Sequence, residues 1–262
     1  MKRRTVLQTA AGAAVINLLM EGTTMAQENQ AAGAIRTDAD AILERLMTKD
    51  VPAAVAYDDR MRTLIAVASL TAQDESDVLE EVAAAALKRG IDPLAMREAA
   101  MQAMAYSGLP TTIRAVRAIA AACAAAGKAF PTESAATVTD ENRFEKGLAV
   151  QTGIFGDAIT TMHKNAKPDE RPITVDLLTG FCFGDTYTRT GLTLKERELL
   201  TFVVIASMGG CEPQVKAHAG GNILVGNTRK MLIDAIVVMI PFIGFPKTLN
   251  ALAMVNEAAP AK

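Results

Sequence analysis

The sequence predicts an all-α protein in which one helical unit occurs twice. Tryptophan is absent among the 262 residues, while alanine and methionine are frequent. This composition suits close-packed helices better than sheets, because strands favour aromatic and β-branched residues. No segment alternates polar and apolar residues as a half-buried strand does. Helix-capping and helix-ending residues recur at a fixed spacing in the two halves, which predicts a tandem duplicated helical bundle.

Local signals in the second half predict where each helix begins and ends. Thr193, followed three residues later by Glu196, forms a capping-box pattern that opens a helix. The apolar run from Leu199 to Met208 predicts that this helix is buried on nearly all sides, and Gly209 predicts its end. Prolines in first turns and capping residues predict the helices that follow. They run from Glu212 to Gly226, from about Arg229, capped by Thr228, to Ile240, and from Pro246 to Val255.

The repeat has an offset of 136 residues and needs no gap from Arg60 to about Val116. Backbone geometry dictates glycine, proline and capping positions, so their coincidence at one offset indicates a shared helical unit. Residues 27–127 are then predicted to form a degenerate N-terminal repeat, residues 128–142 a linker, and residues 143–262 the C-terminal domain. The coinciding positions are Gly90 and Gly226, Asp92 and Thr228, Gly108 and Gly244, and Pro110 and Pro246.

The N-terminus has the layout of an export signal. Arg3 and Arg4 precede a short apolar run from Thr9 to Met20, and small residues follow at the cleavage positions around Ala26. The run is too short for a permanent membrane span. Residues 1–26 are therefore predicted to be a twin-arginine-like leader that directs the protein to the periplasm or the exterior, with no stable span.

Charge and composition exclude several classes of protein. The formal net charge is -2 and no basic patch stands out, which argues against nucleic acid as a partner. Three cysteines without a CxxC pair exclude a disulfide scaffold and a cysteine-rich zinc module. Two histidines are too few for a multi-histidine metal site, so no metal is expected.

Glu198, Cys211 and His218 are the candidate catalytic residues. Glu198 lies in an otherwise apolar helix, where a buried carboxylate can act as an acid or a base. Cys211 stands at a predicted helix start, whose unpaired N–H groups favour a thiolate. Gln214 shares a helix face with His218, four residues later, and is a candidate binding residue. Cys211 and His218 are about 10 Å apart along the helix axis, so a water, a substrate or Gln214 would have to bridge them.

Each of these three residues also has a structural interpretation. The histidine could be a core residue with satisfied hydrogen bonds, the cysteine an inert buried thiol, and the glutamate an ion-pair partner. The first copy has none of the three, so the sequence predicts one site per chain and a structural role for the N-terminal repeat. The residues at the matching positions of the first copy are Arg62, Glu75 and Val82.

Three stretches of the second half resemble the carboxymuconolactone decarboxylase family, which also contains the alkyl hydroperoxidase D group. Residues 143–147, with 155–157, resemble the family's opening segment. Residues 183–192 resemble its W-G-x-x-W-x-R-x-G-L segment, with phenylalanine and tyrosine in place of the two tryptophans. Residues 194–246 resemble its core, which ends in Gly-Phe-Pro. The first half, 59–118, resembles the same core more weakly.

The resemblance to the decarboxylase members implies a carbon–carbon lyase that needs neither a metal nor an organic cofactor. Those members act on a carboxylated muconolactone, an anion that needs a cationic partner. Arg189, the arginine of the matching segment, would bind that anion. His218 or Glu198 would move the proton as carbon dioxide leaves. The expected partner is a small carboxylated lactone or a related organic acid.

The peroxidase members imply an alternative function. They use a glutamate, a CxxC pair, and a histidine placed beyond the second cysteine. Cys211 and His218 match the first cysteine and the histidine, but Gln214 stands at the second cysteine position, and Glu198 is one residue further from Cys211 than in the peroxidases. The alternative is therefore a thiol-dependent, peroxiredoxin-type antioxidant protein in which Cys211 reacts with an external thiol.

A third interpretation is a non-catalytic helical module that binds a small molecule or only assembles. The resemblance also implies an assembly, because family members with a single unit form ring-like hexamers. A chain with two fused units is therefore expected to form a homotrimer. The apolar helices at 199–208 and 231–240 would supply much of the core and of the interface.

Overall fold

The computed structural model describes residues 38–261, and within this range the chain forms helices and loops without any strand. The all-α prediction is confirmed for this part of the chain. The predicted leader, residues 1–26, lies outside the described residues. In chain order the helices are α1 (Asp38–Arg45), α2 (Val51–Ala54), α3 (Asp59–Gln73), α4 (Ser76–Lys88), α5 (Pro93–Gln102), α6 (Met104–Ser107), α7 (Leu109–Ala125), α8 (Arg143–Phe155), α9 (Asp157–Asn165), α10 (Pro172–Tyr187), α11 (Leu194–Met208), α12 (Glu212–Leu224) and α13 (Arg229–Ala258), with a π-helical turn (Leu46–Asp50) between α1 and α2.

The local signals of the second half place its helices close to their predicted bounds. The Thr193 side chain accepts the backbone N–H of Glu196, and the Glu196 carboxylate accepts that of Thr193, which completes the capping box of α11. The Thr228 hydroxyl caps α13 by accepting the backbone N–H of Met231. The predicted turn at Gly244 is a sharp kink, with φ 69° and ψ 172°, between two helical segments that otherwise run on as α13.

The helices of the two halves keep the offset found in the sequence. Adding 136 to the bounds of α4, Ser76–Lys88, gives the bounds of α12. Adding 136 to Pro93, the first residue of α5, gives Arg229, the first residue of α13. Gly108, which precedes α7, has φ 92° and ψ 161°, close to the values at Gly244. Both positions need glycine because side chains rarely tolerate a positive φ.

The helices α3 and α11, which correspond to each other at the offset of 136 to within one residue, pack against each other. The hydroxyls of Ser69 and Ser207 are 2.9 Å apart across this contact, and Arg60 forms an ion pair with Glu196. One hydrophobic cluster includes residues from both halves, so they share a core. Its largest fully buried side chains are Leu64, Ile65, Leu79, Leu87, Met96, Ile119, Leu199, Leu200, Phe202 and Leu232.

The segment predicted to be a linker, 128–142, contains no helix and lies against both halves. Arg97 of α5 donates hydrogen bonds to the carbonyls of Pro131 (2.6 Å) and Glu133 (2.8 Å). The backbone N–H of Thr190, in the loop before α11, donates to the carbonyl of Ala135 at 2.9 Å. The segment therefore connects α5 to the loop that precedes α11.

Helices α8 and α10 approach each other closely at glycines. A methyl group at Gly147 would overlap the carbonyl oxygen of Thr179 and would also contact the backbone of Gly184. The α10 helix has the wider winding of a π-helix. The close contact brings Phe155, at the end of α8, and Tyr187, at the end of α10, next to the α11 and α12 helices.

Among the described residues, α13 is the one helix long and apolar enough to cross a membrane. It is kinked at Gly244, and Leu232, Ala235 and Met239 on this helix are buried in the shared core. Core helices can have the same length and hydropathy as membrane spans, so these contacts favour a core position. That the chain makes no stable span stays a prediction.

Candidate active site

Glu198 and His218 form a buried acid–imidazole pair between α11 and α12. The Nδ1 atom of His218 lies 2.8 Å from Glu198 Oε1, within hydrogen-bond distance, with Glu198 fully buried and His218 8% exposed. Asn222, one turn later, donates to the backbone carbonyls of Glu198 (3.0 Å) and His218 (2.7 Å), which ties the helices together. Because Glu198 engages Nδ1, the Nε2 atom of His218 is the ring nitrogen available to a substrate.

Tyr187 is a residue of the site that the sequence did not single out. Its hydroxyl lies 2.7 Å from Glu198 Oε2 and 2.7 Å from Thr201 Oγ1, so the second oxygen of the carboxylate is also engaged. The sequence did contain a signal for this residue, since Tyr187 stands at a position where the family segment that this chain resembles has a tryptophan. A buried tyrosine hydroxyl needs a hydrogen-bond partner, and here Glu198 is that partner.

The N-terminal half contributes to the site through α5 and α6. The Tyr106 hydroxyl lies 3.3 Å from that of Tyr187, and its ring meets His218 edge-on with centroids 5.8 Å apart. Gln102 donates to Thr201 Oγ1 at 3.0 Å. The N-terminal half therefore packs directly against the site, and the structural role expected for it stays a prediction. Contacts between residues 81 or more positions apart carry no local signal.

Aromatic rings surround the Glu198–His218 pair on the side of α8 and α10. Phe155 meets His218 edge-on, with centroids 5.5 Å apart and an angle of 85° between the planes. Phe183 stacks on Tyr187 at 4.9 Å and meets Phe155 at 6.1 Å. These rings limit the access of water to the pair and strengthen its electrostatic interaction.

The polar groups next to the pair keep their protons at neutral pH. Burial raises the pKa of the Tyr187 and Tyr106 hydroxyls well above the ordinary value, and the nearby Glu198 carboxylate raises both further. Burial also raises the pKa of the Cys182 thiol, to about 11, although its hydrogen bond with Tyr106 opposes the shift. All three groups are therefore hydrogen-bond donors around Glu198.

Arg189, which the resemblance implied as the cation for a substrate anion, forms an ion pair within the protein. Its guanidinium donates to both oxygens of Glu98, at 2.8 and 2.9 Å, and the arginine side chain is 12% exposed. Arg97 and Arg197 also pair with the same carboxylate, at 3.0 and 3.3 Å. A buried guanidinium needs an anion, and Glu98 of α5 satisfies that need, so a substrate carboxylate would have to compete with Glu98 for Arg189. A binding role for Arg189 stays a prediction.

In the part of the chain that the structure describes, the hydrogen bonds of Glu198 and His218 do not involve Cys211 or Gln214. Cys211 is the residue that precedes α12, and it lines a small cavity together with Lys247. Gln214 is exposed to solvent. The structure thus brings together two of the three candidate catalytic residues, and the thiol lies apart from them, as the spacing along the helix predicts.

The chemistry that the arrangement supports is proton transfer. The centre of the site holds one carboxylate and one imidazole, with the two tyrosine hydroxyls and a thiol beside them. Across residues 38–261, no three or more His, Cys, Asp or Glu side chains are grouped so that they could hold a metal ion. An imidazole backed by a buried carboxylate is the arrangement with which proteins position a general acid or base.

Gly221 is required for the packing around Glu198, which gives a first testable prediction. A methyl group there would overlap Glu198 Oε1 and come within 3.0 Å of Phe155 and 3.1 Å of Ile154. We expect Gly221→Ala to destabilise the protein by about 1–2 kcal/mol, since overpacking outweighs the gain in helix propensity. Urea denaturation measures the change.

The neighbouring Gly220 offers a matched control. Nothing lies within 4 Å of a methyl group at this position, so Gly220→Ala is expected to leave stability unchanged or raise it by up to about 1 kcal/mol. Equal effects of the two substitutions on the midpoint of denaturation would contradict the packing described for Glu198.

Comparisons with known proteins show what the second half of the chain is similar to. Residues 172–257 match the carboxymuconolactone decarboxylase family model. The chain is 25% identical, over 120 residues, to 4-carboxymuconolactone decarboxylase from Acinetobacter baylyi, an alignment that covers 46% of this chain and 89% of that protein. It is 27% identical, over 116 residues, to nitrosuccinic acid decarboxylase npaB from Metarhizium robertsii, covering 44% of this chain and 79% of that protein.

The matched segment bears directly on the site. It contains Tyr187, Glu198 and His218, so the acid–imidazole pair lies inside the segment that matches the family model. It does not include Gln102 or Tyr106, which the N-terminal half supplies. Both relatives are named as decarboxylases.

Proposed function

We propose that the protein is a cofactor-independent decarboxylase of a small carboxylated organic acid. The observation that carries the proposal is the buried Glu198–His218 pair within the segment that matches the family. Two relatives named as decarboxylases support the type of reaction. Their named substrates, a carboxylated lactone and a nitro acid, indicate the class of compound: an acid with an electron-withdrawing group near the departing carboxylate.

The reaction needs one bond to break and one proton to arrive. The carbon–carbon bond to the carboxylate breaks, carbon dioxide leaves, and the electron pair moves onto the lactone carbonyl or the nitro group. The Nε2 atom of His218 takes a proton from solvent and delivers it to the substrate carbon that has lost the carboxylate. Glu198 stabilises the imidazolium that holds this proton in the meantime, because the two groups are 2.8 Å apart and buried.

The surroundings of the pair suit the loss of carbon dioxide. The described side chains that hydrogen-bond to the two side chains or meet the imidazole ring are Tyr187, Tyr106 and Phe155, none of which is a cation. A carboxylate in such a site is less stabilised than one beside an arginine, while the departing carbon dioxide is neutral. Tyrosine hydroxyls are left to bind the oxygen atoms on which negative charge accumulates.

The alternative is a peroxidase that uses Cys211, and one variant separates the two functions. We expect the purified protein to release carbon dioxide from 4-carboxymuconolactone or nitrosuccinic acid, and Cys211→Ser to retain that activity within about twofold, because the thiol lies outside the site. Hydroperoxide consumption with a thiol donor is measured in parallel. Peroxide turnover that Cys211→Ser abolishes, without decarboxylation, would establish the alternative. Turnover of neither class would favour the non-catalytic module.

The duplication and the assembly are further parts of the proposal. The equal helix bounds at an offset of 136 support a tandem duplication. Exposed apolar residues also recur at that offset, with Leu109 and Ile113 in α7 corresponding to Phe245 and Leu249 in α13. Such positions are suited to contacts between chains, which supports the proposed homotrimer. Export through a twin-arginine-like leader rests on residues 1–26 alone.

A further inference from the structure

Two aromatic rings meet the His218 imidazole edge-on, and they come from different halves of the chain. The centroid of Phe155, at the end of α8, lies 5.5 Å from that of the imidazole, and the centroid of Tyr106, in α6, lies at 5.8 Å. Both residues are half-buried, and His218 is 8% exposed. Of these two rings only Tyr106 carries a polar group, so it is the one that can donate a hydrogen bond to a molecule beside the imidazole.

The hydroxyl of the other tyrosine of the site, Tyr187, is already engaged. It donates to Glu198 Oε2 at 2.7 Å, and Thr201 Oγ1 lies at the same distance. A tyrosine has a single proton, so these two short contacts leave none for a further partner. The Tyr187 ring is 4% exposed and is stacked against Phe183. Tyr187 therefore supports the carboxylate of the pair.

The hydroxyl of Tyr106 is held much more loosely. Within residues 38–261 it has two hydrogen-bond contacts, one from the Cys182 thiol at 3.4 Å and one with the Tyr187 hydroxyl at 3.3 Å. Hydroxyl–hydroxyl bonds are normally about 2.7–2.8 Å long, so the second contact is weak. Burial, and then the charges of Cys182 and Glu198, raise the pKa of Tyr106 well above its ordinary value. The hydroxyl therefore keeps its proton and has no strong acceptor for it among these groups.

We propose that Tyr106 is a catalytic residue, whose hydroxyl donates a hydrogen bond to the substrate oxygen on which negative charge accumulates as carbon dioxide leaves. The inference rests on the proposed function, in which the electron pair of the broken carbon–carbon bond moves onto a nitro group or a lactone carbonyl. Tyr106 exchanges its long contact with Tyr187 for a short bond to that charged oxygen. It keeps its proton throughout, and His218 supplies the proton that reaches carbon.

The second half of the chain has no equivalent of this donor. At the offset of 136, the residue that corresponds to Tyr106 is Phe242, which lacks a hydroxyl. Tyr106 also lies outside the segment 172–257 that matches the family model. Gly108, with φ 92°, ends α6 directly after Ser107 and thereby determines where this short helix stops. The N-terminal half would thus complete a site whose acid–imidazole pair lies in the C-terminal half.

Tyr106→Phe removes the hydroxyl and keeps the ring. We expect kcat for decarboxylation to fall by about 10²-fold, the contribution of one donor to a developing oxyanion, with KM changed by less than about threefold. Tyr57→Phe is the matched control, because Tyr57 is the third tyrosine of the chain and donates to the carbonyl of Met231 at 2.9 Å, away from the site. Its kcat is expected to stay within about twofold of the wild type. An unchanged kcat in Tyr106→Phe, or equal losses in both variants, would overturn the proposal.

A pair of small ligands tests the contact without turnover. 3-Nitropropanoate has a neutral nitro group, and its nitronate anion carries negative charge on the same two oxygen atoms. Calorimetric titrations use His218→Gln, whose amide cannot protonate the nitronate, with and without Tyr106→Phe. We expect Tyr106→Phe to weaken binding of the nitronate by about tenfold, the worth of a hydrogen bond to a charged group, and binding of the nitro form by less than about twofold.

The outcomes separate this proposal from the proposed function. Equal effects of Tyr106→Phe on the two ligands, including no effect on either, would overturn the proposal, because a hydroxyl that only supports the structure does not distinguish them. A wild type that decarboxylates, with a Tyr106→Phe variant of equal kcat, leaves the proposed function standing and removes the role of Tyr106. A wild type that releases no carbon dioxide, with a selective loss of nitronate binding in Tyr106→Phe, refutes the proposed function and supports the contact.

Discussion

Replacing His218 by alanine is expected to lower kcat/KM for decarboxylation by about 10²–10⁴-fold, the usual contribution of a positioned acid–base group. The imidazole is the one group of the site that has both a carboxylate partner and a nitrogen available to the substrate. We expect a loss of similar size for Glu198→Gln, since the amide cannot stabilise the imidazolium. The double variant should be little worse than either single variant, because the two residues act as a unit.

His163→Ala is the control for this experiment, because it removes the other histidine of the chain. His163 lies 3.2 Å from the Thr179 hydroxyl on the far side of α10, in contact with Phe144 rather than with the Glu198–His218 pair. Its activity is expected to stay within about twofold of the wild type. Steady-state assays with either relative's named substrate measure both variants. Full decarboxylation by His218→Ala would refute the assignment of the site.

The positions of the helices could be predicted because their signals are local. Thr193 and Thr228 cap the helices they were expected to cap, and the glycines at 108 and 244 both adopt positive φ. Caps and turns depend on a few adjacent residues, so a single sequence contains the information. The kink at Gly244 was predicted, but the break in the helix is shorter than the predicted gap between Ile240 and Pro246, because only Gly244 has non-helical backbone angles.

Only half of the site could be predicted from the sequence, because the other contacts join residues that are far apart in the chain. Glu198 was suspected because a carboxylate in an apolar helix needs a partner, and His218 is that partner. Tyr106 lies 81 residues from Tyr187, and Glu98 lies 91 residues from Arg189. Nothing local in the sequence indicates such pairs. They arise because both halves fold around one core, which places α5 and α6 beside α11.

Glu98 balances the charge of three arginines that come from α5, from α11 and from the loop before α11. Glu98→Gln is therefore a test of what holds the two halves together.

Glu98→Gln is expected to destabilise the protein by about 3–5 kcal/mol at pH 7. The side chain is fully buried, and removing its charge leaves Arg197, also fully buried, and Arg189, 12% exposed, without an anion. Asp234, at the equivalent position of the second half (98 plus 136), provides the control. It is also buried, but its partner Lys230 is 66% exposed, so Asp234→Asn should cost about 1 kcal/mol or less.

The effect of Glu98→Gln should depend on pH in a defined direction. Burial raises the pKa of Glu98, but hydrogen bonds and charge from Arg189 and Arg197 outweigh burial and hold it below the ordinary value. A carboxyl whose pKa is lower in the folded state stabilises the fold fully above the pKa of an unfolded glutamate, about 4.3. That contribution is lost as the pH falls through the folded-state pKa.

Urea denaturation should therefore show a large difference in the free energy of unfolding between wild type and variant at pH 7, and this difference should shrink below about pH 4. A difference that is the same at both pH values would contradict the role of Glu98 as the buried anion.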